Sequence, residues 1–218
     1  MLTYNNNWLT NIRKRNIIKS VKNIMQYAVE GFMDSNISIS EKKMSVKTIT
    51  TVGMFTAVVC ILSVLQIPLP TGVPVVLQTF AVALTGYVLG EKKGTLAVLL
   101  YVLLGVVGLP VFAGMSGGFE VIIGKTGGFI YGYIVYAFMC GIGSRFKNIV
   151  IQYLLGAVGM TVCYICGVVQ FKFVMGLSWA LSFAYAAAPF IVKDLIFLAL
   201  ALFAAMAIKK GLRKANLL

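Results

Sequence analysis

Beyond the first 45 residues the chain holds only three carboxylates, Glu91, Glu120 and Asp194. Glu91 stands in the turn E-K-K-G beside Lys92 and Lys93, where a solvated loop charge is the plain reading. Asp194 stands inside an apolar run, next to Lys193 and five residues after Pro189. It precedes Lys209 by fifteen residues, about 22 Å of helix. A lone carboxylate at that depth costs at least roughly 2.5–3.5 kcal/mol in a bilayer, so something must compensate it. Two readings follow. Asp194 pairs with Lys193 or Lys125 and merely ties helices together, or it accepts hydrogen bonds inside an outward-facing ligand cavity. The second reading is the expectation here.

Another unusual stretch runs G-L-P-V-F-A-G-M-S-G-G-F-E-V-I-I-G-K-T-G-G-F-I-Y-G from Gly108 to Gly132. Glycine admits positive φ and close approach of backbone. Irregular backbone at membrane depth is tolerated only where it is buried or lines a cavity. Val111, Phe112, Phe119, Val121, Ile122 and Ile123 make the stretch too apolar for a free aqueous loop. It is expected to form a re-entrant or lid segment over a cavity mouth. Gly124, Gly128 and Gly132 also recur every four residues, which suits close helix packing. The G-K-T at 124–126 is not a phosphate-binding loop, because the required glycine position is Phe119. Cys60, Cys140, Cys163 and Cys166 all fall in apolar runs. Without any histidine the C-x-x-C at 163–166 reads as packing rather than as a zinc site. No metal or cofactor is expected.

The elements that must position these residues are membrane helices. Of 218 residues, 60% are apolar and 11% charged, against about 25% charged in soluble domains; the mean hydropathy is +0.93. Six apolar segments are expected near 46–66, 72–90, 94–110, 127–144, 148–171 and 186–208. The fold class is therefore all-α integral membrane, with six transmembrane helices and the Gly-rich segment between spans 3 and 4. Sixteen of the nineteen basic residues fall on one side of this arrangement, leaving Lys125, Lys172 and Lys193. The positive-inside rule then puts both termini in the cytoplasm of a multi-pass cell-membrane protein. The net charge of +13 is explained by juxtamembrane cations facing membrane lipid, not by nucleic acid.

Residues 1–45 form a separate, basic, Asn-rich cytoplasmic extension preceding the membrane domain at 46–214. Ile17, Ile18, Val21, Ile24, Met25, Ala28, Val29 and Phe32 recur at helical spacing, as in a surface amphipathic helix. A tail, or a true start at Met44, is the alternative. No secretory signal peptide is visible, so the first span is expected to serve as an uncleaved insertion signal. In that span Gly53 and Ala57 form G-x-x-x-A, a small-residue face suited to a partner helix or to packing within the chain.

Four motifs in order carry a resemblance: I-P-L-P-T-G-V-P-V-V-L-Q-T (67–79), G-L-P-V-F-A-G-x-x-G-G (108–118), G-x-T-G-G-F (124–129) and P-F-x-x-x-D (189–194). Over roughly residues 48–210 the chain resembles the BioY family, the biotin-specific S-components of energy-coupling-factor transporters. The resemblance implies a six-helix subunit that binds biotin from outside. It further implies as partners a coupling transmembrane T-component and paired ATPase subunits, docked at Gly53 and Ala57. Asp194 and the neighbourhood of Gly114 and Glu120 match the family's biotin pocket. Asp194 would accept from a ureido N–H in a charge-assisted bond, and a lysine would pair with the valerate carboxylate. Phe112, Phe129, Tyr131 and Tyr133 are available as walls, and Gln78 as a further polar contact. The chain departs from the commoner P-F-x-x-G-D-x-x-K, with Lys193 at the Gly position and Phe197 at the Lys position. It also has Lys125 and Phe129 where the family usually reads G-P-T-G-G-Y. Lys193 or Lys125 is expected to replace the missing cation, and a biotin-related molecule stays open as ligand.

The expectation is a binding subunit that catalyses no chemistry. A solitary proton-coupled transporter of a small acid, with Asp194 as relay, is the alternative. An intramembrane enzyme is disfavoured, since the chain lacks histidine and shows no Ser–Lys or paired-carboxylate arrangement.

Overall fold

The computed structural model describes residues 46–67 and 75–214. The expected amphipathic extension and the Pro-rich tip at 68–74 lie outside the described residues. Seven α-helices are present among the described residues, accompanied by one short ribbon. They are α1 (Val46–Val64), α2 (Gln78–Val106), α3 (Phe119–Ile123), α4 (Gly127–Gly143), α5 (Ile149–Met175), α6 (Trp179–Ala186) and α7 (Ala188–Lys214). Between α1 and α2, β1 (Gln66–Ile67) pairs antiparallel with β2 (Val75–Val76), with Gln66 opposite Val76. The strands qualify the all-α expectation by two residues each. Their pairing satisfies backbone groups at the two ends of the connection.

Among the described residues, three helices are long and apolar enough to cross a membrane: Val46–Val64, Ile149–Met175 and Ala188–Gly211. Large apolar side chains such as Ile61, Leu103, Ile165, Phe173, Val192 and Phe203 stay exposed on the outside. An apolar exterior of this extent suits lipid as its solvent. α2 is not one straight rod. Gly90 leaves helical geometry at φ 79°, ψ 178°, a conformation that is essentially glycine's alone. The Gln78 amide nitrogen hydrogen-bonds the Tyr101 hydroxyl at 2.8 Å, although 23 residues of continuous helix would span about 34 Å. A methyl group on Gly94 would lie 2.9 Å from Gly86 Cα. The two limbs, 78–89 and 91–106, therefore fold back on one another. The expected loop at 91–93 is absent: the reversal takes place at Gly90 and Glu91 already belongs to the second limb. Across the turn, Glu91 is held by a bidentate contact from Arg145, whose Nε lies 2.9 Å from Oε2.

α4 packs against both α2 and α5. Glycine makes the close approach to α5 feasible: a methyl on Gly128 would stand 2.3 Å from the Cys166 carbonyl oxygen, and one on Gly132 would stand 2.9 Å from Cys163 Cα. At Gly124, the third member of the expected stripe, an added methyl would not meet α5. This glycine turns the chain after α3 and faces the Glu120 carbonyl instead. Asn148 caps α5 by accepting from the Val150 N–H at 2.9 Å, and Gly176 ends it in the left-handed region. The 171–186 connection begins with the last turn of α5, which runs to Met175. It contains α6, capped by Ser178. Pro189 lies in the first turn of α7, where its missing N–H breaks no helical bond.

Candidate functional site

The packed helices leave a cavity of about 430 Å³ among the first limb of α2, the 108–126 segment, α4, α5 and the start of α7. That size is ordinary for a small-molecule site. Its walls are mostly apolar. Phe112, Phe129 and Phe190 are all buried, with Val76, Ile130, Tyr133 and Met160 between them. The Phe112 ring stands edge-on to Tyr101 at 5.5 Å and lies over Gly105, where any side chain would collide with it. Phe129 meets Tyr164 edge-on at 6.0 Å.

The polar groups converge on Asp194, which is only 3% exposed. Its Oδ1 accepts from Thr79 Oγ1 at 2.7 Å and pairs with Lys193 Nζ at 2.6 Å. Its Oδ2 accepts from Tyr164 Oη at 2.5 Å. A carboxylate offers about four acceptor positions, so three protein donors leave room for one more. Lys193 also donates to the Val76 carbonyl at 3.2 Å. Two of its three N–H groups thus have protein partners and one is spare. Its ammonium sits 4.9 Å from the Phe197 ring and 5.9 Å from that of Phe190. Asp194 is thus ion-paired with Lys193 and also lines the cavity.

The structure brings together seven of the nine candidate pocket residues: Gln78, Phe112, Lys125, Phe129, Tyr133, Lys193 and Asp194 all line the cavity. Gly114 and Glu120 do not. Gly114 sits in a 3-10 turn at φ 69° and packs on the Gln66 amide. Its neighbours Ala113 and Ser116 supply the wall. Glu120 lies exposed on the first turn of α3, a short helix that turns Val121 inward instead. Tyr131, named as an available wall, is also exposed and hydrogen-bonds Gln170.

Sequence reasoning missed Thr79 and Tyr164, the two hydroxyls that hold Asp194. Thr79 ends the first quoted motif, directly after Gln78, and that adjacency was a usable signal. Tyr164 sits thirty residues before Asp194, inside the C-x-x-C at 163–166, whose reading as packing gives a hydroxyl no role. Gln170 was missed as well. Its side-chain nitrogen donates to the carbonyls of Ile122 and Gly124, each at 2.7 Å, tying the end of α3 to α5. The four cysteines are free thiols. Cys163 lines the cavity and donates to the Phe129 carbonyl at 3.5 Å.

The sequence profile of the BioY family matches residues 36–214. The chain belongs to the BioY family. It is 43% identical to "Biotin transporter BioY" of Thermotoga maritima over 160 residues, covering 72% of this chain and 93% of that one. Against "Probable biotin transporter BioY" of Pyrococcus horikoshii the identity is 39%, covering 70% of this chain and 90% of the relative. The structure is similar to a crystal structure of the S-component for biotin from an ECF-type ABC transporter. That match has a TM-score of 0.70 and 26% identity, and it covers 78% of this chain and 94% of that chain. For this BioY-family chain the cavity around Asp194 is the candidate binding site.

Proposed function

We propose that this chain is the biotin-binding S-component of an ECF-type vitamin importer. It captures its ligand from outside the cell and moves it with energy from ATP hydrolysed by partner subunits. The chain is a transport protein of the membrane rather than an enzyme. The observation that carries the reading is a buried carboxylate and an adjacent ammonium, each with hydrogen-bonding capacity to spare, at one end of a largely apolar cavity. A bicyclic ureido compound with an apolar ring and an acidic tail matches that distribution. Asp194 accepts from a ureido N–H, Gln78 supplies a further polar contact, and Phe112, Phe129 and Tyr133 cover the ring system. Lys193 or Lys125 meets the carboxylate tail.

The 108–126 segment acts as the lid. It supplies Phe112, Ala113, Ser116, Val121, Lys125 and Thr126 to the cavity wall. We read the two limbs of α2, α1, α4, α5 and α7 as six spans, with the reversal at Gly90 and the Lys92, Arg145 and Lys209 ends facing the cytoplasm. α1 presents Gly53 and Ala57 outward, and a methyl on Gly53 would meet nothing within 4 Å. That open small-residue face is the docking surface for the coupling T-component.

Equilibrium binding of labelled biotin to the purified chain tests the assignment. Asp194→Ala should weaken binding by on the order of 10–100-fold, the worth of a hydrogen bond to a charged group. Unchanged affinity would remove Asp194 from the site. Uptake into ATPase-free vesicles driven by a proton gradient would favour a solitary transporter instead.

A further inference from the structure

A second cavity, of about 730 Å³, opens at the opposite end of α7 from the Asp194 site. The two are about 22 Å apart along the helix, from Asp194 to Lys209. Four cations line it: Arg145 and Lys147 from the α4–α5 connection, and Lys209 and Lys210 from the end of α7. Among the described residues, no carboxylate lines it. The wall is therefore strongly cationic even with Arg145 in contact with Glu91. Such a concavity concentrates anions. Its floor is of another kind. Leu202, Ala205 and Met206 close the cavity from α7. Leu202 and Ala205 are buried, while Met206 is exposed one helical turn from Phe203, which is exposed on the outer surface of that helix. Lysine heads thus stand above an apolar surface that runs outward to the lipid-facing side. A small soluble anion has no use for the apolar floor. A molecule with an anionic head and acyl chains uses both.

We propose that this cavity is a binding site for the phosphate headgroup of an anionic phospholipid, with its acyl chains running along the Phe203 and Met206 face of α7. Lys147 and Lys210 approach the phosphate from the two sides of the cavity, and Arg145 keeps spare guanidinium donors beyond its contact with Glu91. The site is separate from the biotin cavity and shares no lining residue with it.

The test uses the purified full-length chain in neutral detergent, with native mass spectrometry during titration of dioleoyl phosphatidylglycerol or dioleoyl phosphatidylcholine. The chain should retain phosphatidylglycerol preferentially. The double variant Lys147→Gln/Lys210→Gln should lose about thirtyfold in that retention, roughly fivefold for each lysine near an anionic headgroup. Lys92→Gln/Lys93→Gln removes the same charge from exposed positions outside the cavity and should change retention little. Equal losses in the two variants would mean a diffuse surface effect and would overturn the site. Full competition by inorganic phosphate, with the same thermal stabilisation, would make it a phosphate site and overturn the lipid assignment. Should the first variant fail to fold, a phosphatidylglycerol with a photoreactive headgroup decides on the unaltered chain. Labelling within 144–152 and 202–210 supports the site, and labelling elsewhere overturns it.

Discussion

At the scale of single residues, the cation beside Asp194 carries the most specific expectation. The commoner family pattern puts a lysine at the position of Phe197, whereas here the lysine is Lys193. Residues 193 and 197 are one helical turn apart and share a face. The long Lys193 side chain brings its ammonium to 4.9 Å from the Phe197 ring, so the charge reaches the region a lysine at 197 would occupy. It follows that Lys193→Ala should weaken biotin binding by about tenfold or more. The double variant Lys193→Ala/Phe197→Lys should recover most of that loss. Binding measured on both proteins checks the pair. If the double variant stays as weak as the single one, the ligand's acid is met elsewhere, with Lys125 the next residue to test.

At the scale of elements, the short α3 and the turn after it matter most. This stretch is joined to α4 by the turn at Gly124–Thr126. It is tied to α5 by Gln170, which reaches the Ile122 and Gly124 carbonyls and accepts from Tyr131. Each such bond contributes about 1 kcal/mol net. Gln170→Leu removes both donated bonds without opening a large hole, at a residue that does not itself line the cavity. Biotin should then dissociate faster, on the order of tenfold, while the helical content of the protein is unchanged. A chase experiment with unlabelled biotin reads the rate. An unaltered rate would show that the 119–126 segment does not limit release.

At the scale of the whole molecule, binding and transport should be separable. The cavity is built from α2, α4, α5, α7 and the lid segment, whereas Gly53 and Ala57 look away from it on α1. Gly53→Leu adds bulk where the chain itself offers no obstacle within 4 Å. Biotin affinity should stay within about twofold of wild type, since the substitution is remote from the cavity. Uptake by cells carrying the full transporter should fall at least about tenfold. Normal uptake would place the docking surface on another face.

The chain by itself determined the membrane character and the approximate positions of the long helices, and it singled out Asp194 as the carboxylate that needs partners. Those follow from local properties: runs of apolar residues, clusters of lysine and arginine at their ends, and an acid with no business in lipid. The end points of α4 and α5 agree with their apolar segments to within one residue at the N-terminus of each. Tertiary structure decided what the carboxylate touches. Thr79 and Tyr164 meet Asp194 across 115 and 30 residues of sequence, and no local pattern marks a hydroxyl for such a contact. It also decided which side of the Gly-rich segment faces the cavity. Glu120 and Val121 are neighbours in sequence, and a single short helix turns one out and the other in. Apolar periodicity could not distinguish them, because in a membrane protein both faces of an element can be apolar. Only the packing of α3 against its neighbours tells inside from outside.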